Sequence, residues 1–113
     1  MAKTYFMDLN EIPFVLIKNG DKVVEMRLFK GERRYITSGD YIVFTNNKNG
    51  EKLKVEVLSV SRFPSFKELY ENIDKKLLGY KEEETSSYKD MNYYYKDEDI
   101  NHYGVMGIYI KIA

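Results

Sequence analysis

Three charged side chains lie within an otherwise apolar stretch, residues 22–28. Lys22, Glu25 and Arg27 are interspersed there with valine, methionine and leucine residues that favour burial. A half-buried strand seldom carries this much charge unless the charges pair with one another or with a ligand. Such a set has a definite chemistry. An arginine offers its planar fork to a phosphate or a base edge, a lysine serves as a cation or a base, and a carboxylate accepts from an exocyclic amine.

The elements around these residues decide whether the three side chains meet. Residues 23–28 are predicted to form a strand, in which Glu25 and Arg27 share one face with Val23. Lys22 would point to the other face, so it joins the other two only if it belongs to the preceding turn or if a bulge re-aims it. The same residues also fit an ion-pair network that holds no ligand, and the pattern leaves both interpretations open.

Apolar spacing and turn signals predict an α+β fold with mainly antiparallel strands. Residues 1–9 show no strong pattern. A short helix is predicted between Asn10 and a stop at Gly20. The Asn-Gly turn within residues 46–50 predicts a hairpin between strands at 41–45 and 53–60. A closing strand is predicted at 105–112.

Two further helices are predicted between the hairpin and the closing strand. Ser65 and Glu68 have the spacing of a capping box for a helix over residues 66–73. The acidic run at residues 82–84 predicts the start of another helix, with Tyr88, Met91 and Tyr95 on its apolar face. Tyr95 would then belong to the core, and Tyr93 or Tyr94 would be freer to stack on a base.

Composition excludes several classes of site. The 113 residues include no cysteine and one histidine, so a disulfide, a thiolate metal site, a cysteine nucleophile and a multi-histidine site are all excluded. We therefore expect no metal and no cofactor. A formal net charge of zero argues against tight, non-specific binding of a nucleic-acid backbone. The 11 tyrosines suit either base stacking or the core of a small barrel.

The length predicts a single domain, residues 1–113. The first residues lack a cleavable apolar region, and no apolar run approaches the roughly 20 residues that span a bilayer. We therefore expect a cytoplasmic protein with no membrane contact. The sequence leaves the oligomeric state open.

Several short motifs follow one another along nearly the whole chain. They are Gly20, Lys22, Glu25 and Arg27, then Gly39-Asp40, Phe63 with Ser65-Phe66, Met91 with Tyr94-Tyr95, and Tyr103-Gly104-Val105-Met106-Gly107-Ile108. In this order they resemble the ASCH domain of the PUA-like superfamily. The resemblance implies a small, mixed but mainly antiparallel β-barrel, partly open, with flanking helices and a cleft beside the Lys-x-x-Glu-x-Arg strand.

The resemblance also implies an RNA, nucleotide or nucleoside ligand in that cleft. The candidate ligand-binding residues are Lys22, Glu25, Arg27, Arg33, Arg34, Tyr94 and Tyr95. Of these, Arg33 and Arg34 would contact backbone phosphates. In this interpretation the protein is a binding module without turnover.

An amidohydrolase is the alternative function. One branch of the family hydrolyses an acetylated cytidine nucleoside with a lysine that matches Lys22, a threonine at the position of Glu25, and a distant glutamate. By this comparison Lys22 or Glu25 would activate water to cleave an amide on a modified pyrimidine nucleoside. A second carboxylate near Lys22, for example one from residues 82–84, would favour this alternative. A third possibility is a barrel that mediates protein contacts only.

Overall fold

The computed structural model describes residues 1–113 and contains five strands and three α-helices. The strands are β1 (Thr4–Leu9), β2 (Val24–Leu28), β3 (Tyr41–Asn46), β4 (Lys52–Phe63) and β5 (Val105–Ile112). The helices are α1 (Glu11–Lys18), α2 (Phe66–Asn72) and α3 (Asp97–Tyr103), and short 3-10 helices occupy Gly31–Tyr35 and Tyr88–Tyr93. The predicted α+β class is confirmed. None of the helices combines the length and the apolar character that crossing a membrane requires.

The strands form one sheet in the order β1-β3-β4-β5-β2. β1 runs parallel to β3, and all other neighbours are antiparallel. The sheet curls into a half-barrel with the helices beside it, which confirms the predicted partly open barrel. Its two edges are β1 and β2, and one side chain joins them, because Nη2 of Arg27 donates to the carbonyl oxygen of Asp8 over 2.8 Å. We call this line between β1 and β2 the seam.

Each face of the sheet buries its own apolar cluster. On the first face, Phe14 and Ile17 of α1 pack against β1, β3, β4 and β5. On the second face, Phe66 and Leu69 of α2, together with Ile100 of α3, pack against β2 and β5. The half-barrel is therefore filled from one side by α1 and covered from the other by α2 and α3.

β2 contributes to both faces. Val24, Met26 and Leu28 belong to the second cluster. Glu25 and Arg27 pair across the ladder with Ile108 and Met106, which belong to the first cluster. Because side chains that pair directly across a ladder lie on the same face, the two charges of β2 point toward the side filled by α1.

Asp40 explains why a Gly-Asp pair precedes β3. Its side chain is buried and accepts hydrogen bonds from the backbone N–H of Lys3 and of Thr37, both at 3.0 Å. Gly39 supplies the turn with a φ of 91°, a conformation that other residues rarely adopt. The pair therefore fastens the start of β1 beside β3, which positions one edge of the seam.

The first strand was not predicted. Residues 4–9 form β1, and Tyr5, Met7 and Leu9 are buried while their neighbours are exposed. This is the alternation of a half-buried strand, so the expectation that residues 1–9 have no pattern was wrong.

The prediction of a helix that begins at residues 82–84 was also wrong. These glutamates lie in a turn-rich loop, where Nζ of Lys75 donates to the carbonyl oxygens of Glu82 and Glu84 at 2.8 and 2.5 Å. Only the short 3-10 helix Tyr88–Tyr93 follows. The capping box is likewise absent, because the hydroxyl of Ser65 donates to the Glu68 carboxylate and caps no backbone N–H.

Gly107 lies in β5 where the second cluster presses closely on the sheet. A Cβ atom at this position would lie 3.1 Å from Cδ1 of Ile73 and 3.3 Å from Cγ1 of Val24. We expect Gly107→Val to lower the free energy of unfolding by about 1–3 kcal/mol through overpacking, and Gly107→Ala to cost less. Urea denaturation of both variants measures this, and a valine variant as stable as the wild type would show that Ile73 yields without cost.

Candidate functional site

Lys22, Glu25 and Arg27 form one hydrogen-bonded cluster, which we call the charged cluster. Nζ of Lys22 lies 3.0 Å from Oε1 of Glu25, and Nε of Arg27 lies 2.7 Å from Oε2. The Glu25 side chain is only 5% exposed, so both of its oxygens are engaged away from bulk water. The structure thus brings these three predicted residues together.

Lys22 reaches the cluster because it precedes β2 and lies in the turn after α1. Gly20 ends the helix with a φ of 82°, and the backbone N–H of Lys22 donates to the carbonyl oxygen of Leu16 at 3.1 Å. Gly79 packs against the aliphatic stem of Lys22, where a Cβ atom would lie 3.3 Å from Cβ of the lysine. A turn therefore re-aims Lys22 toward Glu25, which is the first of the two arrangements considered from the sequence.

The charged cluster keeps Glu25 ionised in spite of its burial. Burial disfavours the carboxylate, but attraction to Lys22 and Arg27, with their hydrogen bonds, outweighs it and holds the pKa of Glu25 below its usual value. For Arg27, burial disfavours the charged form, and the carboxylate of Glu25 more than compensates, so the pKa of the guanidinium is raised. Two cations and one carboxylate leave the cluster with one net positive charge.

The charged cluster lines an open cleft of about 710 Å³ beside β2. Other walls come from α1, the seam and the loop around the 3-10 helix Tyr88–Tyr93. A row of tyrosines runs outward along this loop. Tyr95 stacks on the buried Phe66 with ring centroids 5.7 Å apart, Tyr94 lies beside Tyr95, and Tyr93 lies beside Tyr94.

The members of this row differ in exposure. Tyr95 is partly buried and packs against the second cluster, which agrees with the prediction that it belongs to the core. Tyr94 is 55% exposed and Tyr93 is 89% exposed. All three line the cleft, so the structure brings Tyr94 and Tyr95 to the same cleft as the charged cluster.

Arg33 and Arg34 are not part of the cleft lining. Nε of Arg33 donates to the carbonyl oxygen of Leu28 at 3.1 Å, and Nε of Arg34 donates to that of Gly31 at 2.9 Å. Both arginines thus brace the 3-10 helix Gly31–Tyr35. Arg34 also lies over the ring of Tyr35 and is exposed. The structure therefore leaves Arg34 apart from the other predicted residues, whereas Arg33 lies outside the cleft lining but near enough to Arg27 and Tyr95 for their charges to interact.

Comparison with known proteins identifies the family. The sequence profile of the ASCH domain matches residues 7–111, nearly the whole chain. The chain belongs to the ASCH domain family. No curated protein sequence matches this ASCH domain.

Solved structures share the fold of this ASCH domain. The hypothetical protein PH0355 is 32% identical with a TM-score of 0.82, over 97% of this chain and 99% of that one. Protein PF0455 from Pyrococcus furiosus is also 32% identical, with a TM-score of 0.68 over 96% of each chain. An ASCH domain from Lactobacillus crispatus is 13% identical with a TM-score of 0.64, over 96% of this chain and 79% of that one. The last comparison is a likeness of fold alone.

Sequence reasoning missed part of the cleft wall of this ASCH domain. The hydroxyls of Tyr70 and Tyr80 lie 2.9 Å apart, and Tyr80 donates to Oδ2 of Asp90 at 2.8 Å. Glu84 also lines the cleft, and of these residues it alone was considered for the site from the sequence, as one of the carboxylates of residues 82–84. Tyr70 has the spacing of the apolar face of α2, and no spacing signal links it to residues 80 and 90. These side chains meet only because the loop folds back onto α2.

Proposed function

We propose that this ASCH domain binds one nucleotide unit, free or within single-stranded RNA, in the cleft beside β2, and that it does so without turnover. One observation carries the proposal: a buried cluster with net positive charge lines the same cleft as a row of tyrosines, two of which are exposed. A phosphate requires charge-assisted donors and a base requires an aromatic face, and a nucleotide carries both groups. Members of the family are generally proposed to bind RNA, which supports this assignment.

The charged cluster retains donors for an anion. Arg27 uses Nε for Glu25 and Nη2 for the carbonyl oxygen of Asp8, which leaves the protons of Nη1 without a protein acceptor. Lys22 uses one of its ammonium protons for Glu25. The cleft volume of about 710 Å³ lies within the range of small-molecule sites, roughly 300–1,000 Å³. A phosphate at Arg27 and Lys22 would leave the base near the tyrosines.

Tyr94→Ala tests the aromatic half of this site. Stacking on a base contributes about 1–3 kcal/mol, so we expect the variant to bind about 5- to 150-fold more weakly. The measurement is a panel of mononucleotides by calorimetry and a fluorescent single-stranded RNA of about eight nucleotides by anisotropy. Because Tyr94 is exposed, the variant should keep the thermal stability of the wild type.

Tyr35→Ala is the matched control, since Tyr35 is 64% exposed and lies outside the cleft lining. It should bind as the wild type does. Binding should also depend weakly on salt, with a slope of about 0.7 per phosphate contact and only one or two contacts. Equal loss of binding in both variants, or a steep salt dependence, would place the ligand on another surface.

Hydrolysis of a modified nucleoside is a second candidate, and Glu84 favours it. This residue lines the same cleft as Lys22, and only one of its two carboxylate oxygens accepts a hydrogen bond, from the backbone N–H of Lys81 at 2.7 Å. Glu25 is less suited to activate water, because both its oxygens are engaged and its pKa is lowered. Acetylated cytidine therefore belongs in the panel, with product detection. Deacetylation by the wild type that disappears in Glu84→Gln would identify the protein as a hydrolase and would contradict binding without turnover.

A further inference from the structure

Tyr70, Tyr80 and Asp90 form a hydrogen-bonded chain along the cleft wall, and the proposal above assigns it no role. All three line the same cleft as the charged cluster. They come from α2, from the loop after it, and from the 3-10 helix Tyr88–Tyr93. The tyrosine hydroxyls lie 2.9 Å apart, and the rings meet edge to face with centroids 6.0 Å apart. Tyr70 and Tyr80 are half buried, whereas Asp90 is exposed, so Tyr80 orients a carboxylate that a ligand can reach.

The direction of the hydrogen bonds from Tyr70 through Tyr80 follows from the carboxylate of Asp90, which accepts the last of them. An ionised carboxylate only accepts, so the proton of Tyr80 goes to Oδ2 of Asp90. The oxygen of Tyr80 must then accept the proton of Tyr70. Burial, with the hydrogen bonds to Tyr70 and Asp90, raises the pKa of Tyr80, so this proton stays in place at neutral pH. Every hydroxyl proton in the chain is committed within the protein.

The chain therefore offers the cleft acceptors and no donors. Oδ1 of Asp90 receives no hydrogen bond from the protein, and Asp90 makes no salt bridge. The cleft thus has two chemically opposite poles. The charged cluster supplies donors and positive charge, whereas the Asp90 carboxylate supplies an oriented acceptor and negative charge.

We propose that Asp90, oriented by Tyr80, selects nucleotides whose base presents an exocyclic amine. This inference rests on the proposed function and adds its specificity. Cytosine, adenine and guanine carry such an amine, and its N–H groups would donate to Oδ1. Uracil instead places a carbonyl oxygen where cytosine has its amine, and two acceptors facing each other repel. The carboxylate that Tyr80 orients therefore disfavours uracil relative to cytosine.

Two pairs of nucleotides test this inference, since each pair differs at the amine. CMP should bind about tenfold or more tightly than UMP, and GMP more tightly than IMP, as measured by calorimetry. In Asp90→Asn the hydroxyl of Tyr80 donates to the amide oxygen, which turns the amide NH₂ toward the ligand. The ratio of CMP to UMP affinity should then fall to about one or below it.

Controls separate recognition from folding. Asp97→Asn, at an exposed position in the first turn of α3 and outside the cleft lining, should keep the wild-type ratio of CMP to UMP affinity. Tyr80→Phe keeps the Asp90 carboxylate but removes the hydroxyl that orients it, so it should lower the ratio of CMP to UMP affinity. This variant tests the inference even if Asp90→Asn does not fold.

Each outcome decides between distinct conclusions. Binding of CMP and UMP with equal affinity by the wild type would overturn the role of Asp90 and leave nucleotide binding standing. Equal weakening of both ligands in Asp90→Asn would also overturn it, because a purely structural residue has that effect. Failure of the wild type to bind any nucleotide would overturn the proposed function, and this inference with it.

Discussion

Replacing Glu25 with glutamine is expected to lower the free energy of unfolding by about 3–5 kcal/mol. The substitution keeps the size of the side chain and removes its charge, so Lys22 and Arg27 remain beside each other without a counter-ion in a largely buried site. The amide NH₂ of the glutamine would also face Lys22 or Arg27, and both of these side chains only donate hydrogen bonds. Because a domain of this size is stable by about 5–15 kcal/mol, the loss is a large share of the total.

Chemical denaturation measures this effect, and Glu56→Gln is the matched control. Glu56 pairs with Lys111 over 3.8 Å, but its side chain is 34% exposed, so its loss should cost less than about 1 kcal/mol. A Glu25→Gln variant no less stable than the Glu56→Gln control would mean that water enters the charged cluster and screens it.

The carboxylate of Glu25 should make the free energy of unfolding depend on pH in the acidic range. Its pKa in the folded protein lies below the ordinary value of 4.5, so the unfolded chain binds a proton more readily than the folded one. The contribution of Glu25 is therefore complete above pH 4.5 and is lost as the pH falls through the lowered pKa. Denaturation curves at descending pH should show the gap between wild type and Glu25→Gln narrowing only in this acidic range.

Arg27→Ala is expected to weaken nucleotide binding about 10- to 150-fold, the largest effect on the proposed function. Hydrogen bonds to charged groups contribute about 1.5–3 kcal/mol, and Arg27 supplies free donors on Nη1 and half of the positive charge of the cluster. The substitution also removes the link between β2 and the Asp8 carbonyl across the seam. The cleft should therefore lose a ligand contact and part of its framework together.

Arg27→Lys separates these two contributions. A lysine keeps the charge but cannot bond Glu25, Asp8 and a phosphate at once, so we expect intermediate affinity. Arg34→Ala is the control, because Arg34 is exposed and lies outside the cleft lining. If Arg34→Ala weakened binding as much as Arg27→Ala, the loop at residues 31–35 rather than the cleft would hold the phosphate.

Local patterns were sufficient to predict most of the fold. The hairpin and β5 follow from turn residues and period-two alternation, signals that act over a few residues. β1 carries the same alternation, but it is short, and the exposed Phe6 on its outer side hides the pattern. Its pairing also depends on Asp40, a residue far along the chain, which no local window contains.

The loop over residues 74–96 shows why local propensity fails. Its acidic run predicted a helix start, but Lys75 and Lys81 bind the glutamates of this run through contacts that hold a turn. For the site, charge within a strand singled out Lys22, Glu25 and Arg27, but their meeting depends on the turn that holds Lys22, which the strand pattern left open. The hydrogen bond between Tyr80 and Asp90 depends on how the loop over residues 74–96 folds, and no regular spacing in the sequence predicts it.

The position of β5 has a consequence for how the protein matures. β5 follows every other element along the chain, yet it lies between β4 and β2 in the sheet. β2 therefore has no strand partner while the chain is being synthesised from its first residue onward. Until β5 inserts, Glu25 and Arg27 remain in water, where their attraction is weak. The cleft beside β2, where we propose that a nucleotide binds, is therefore complete only after β5, the last strand of the sheet in chain order, has been inserted.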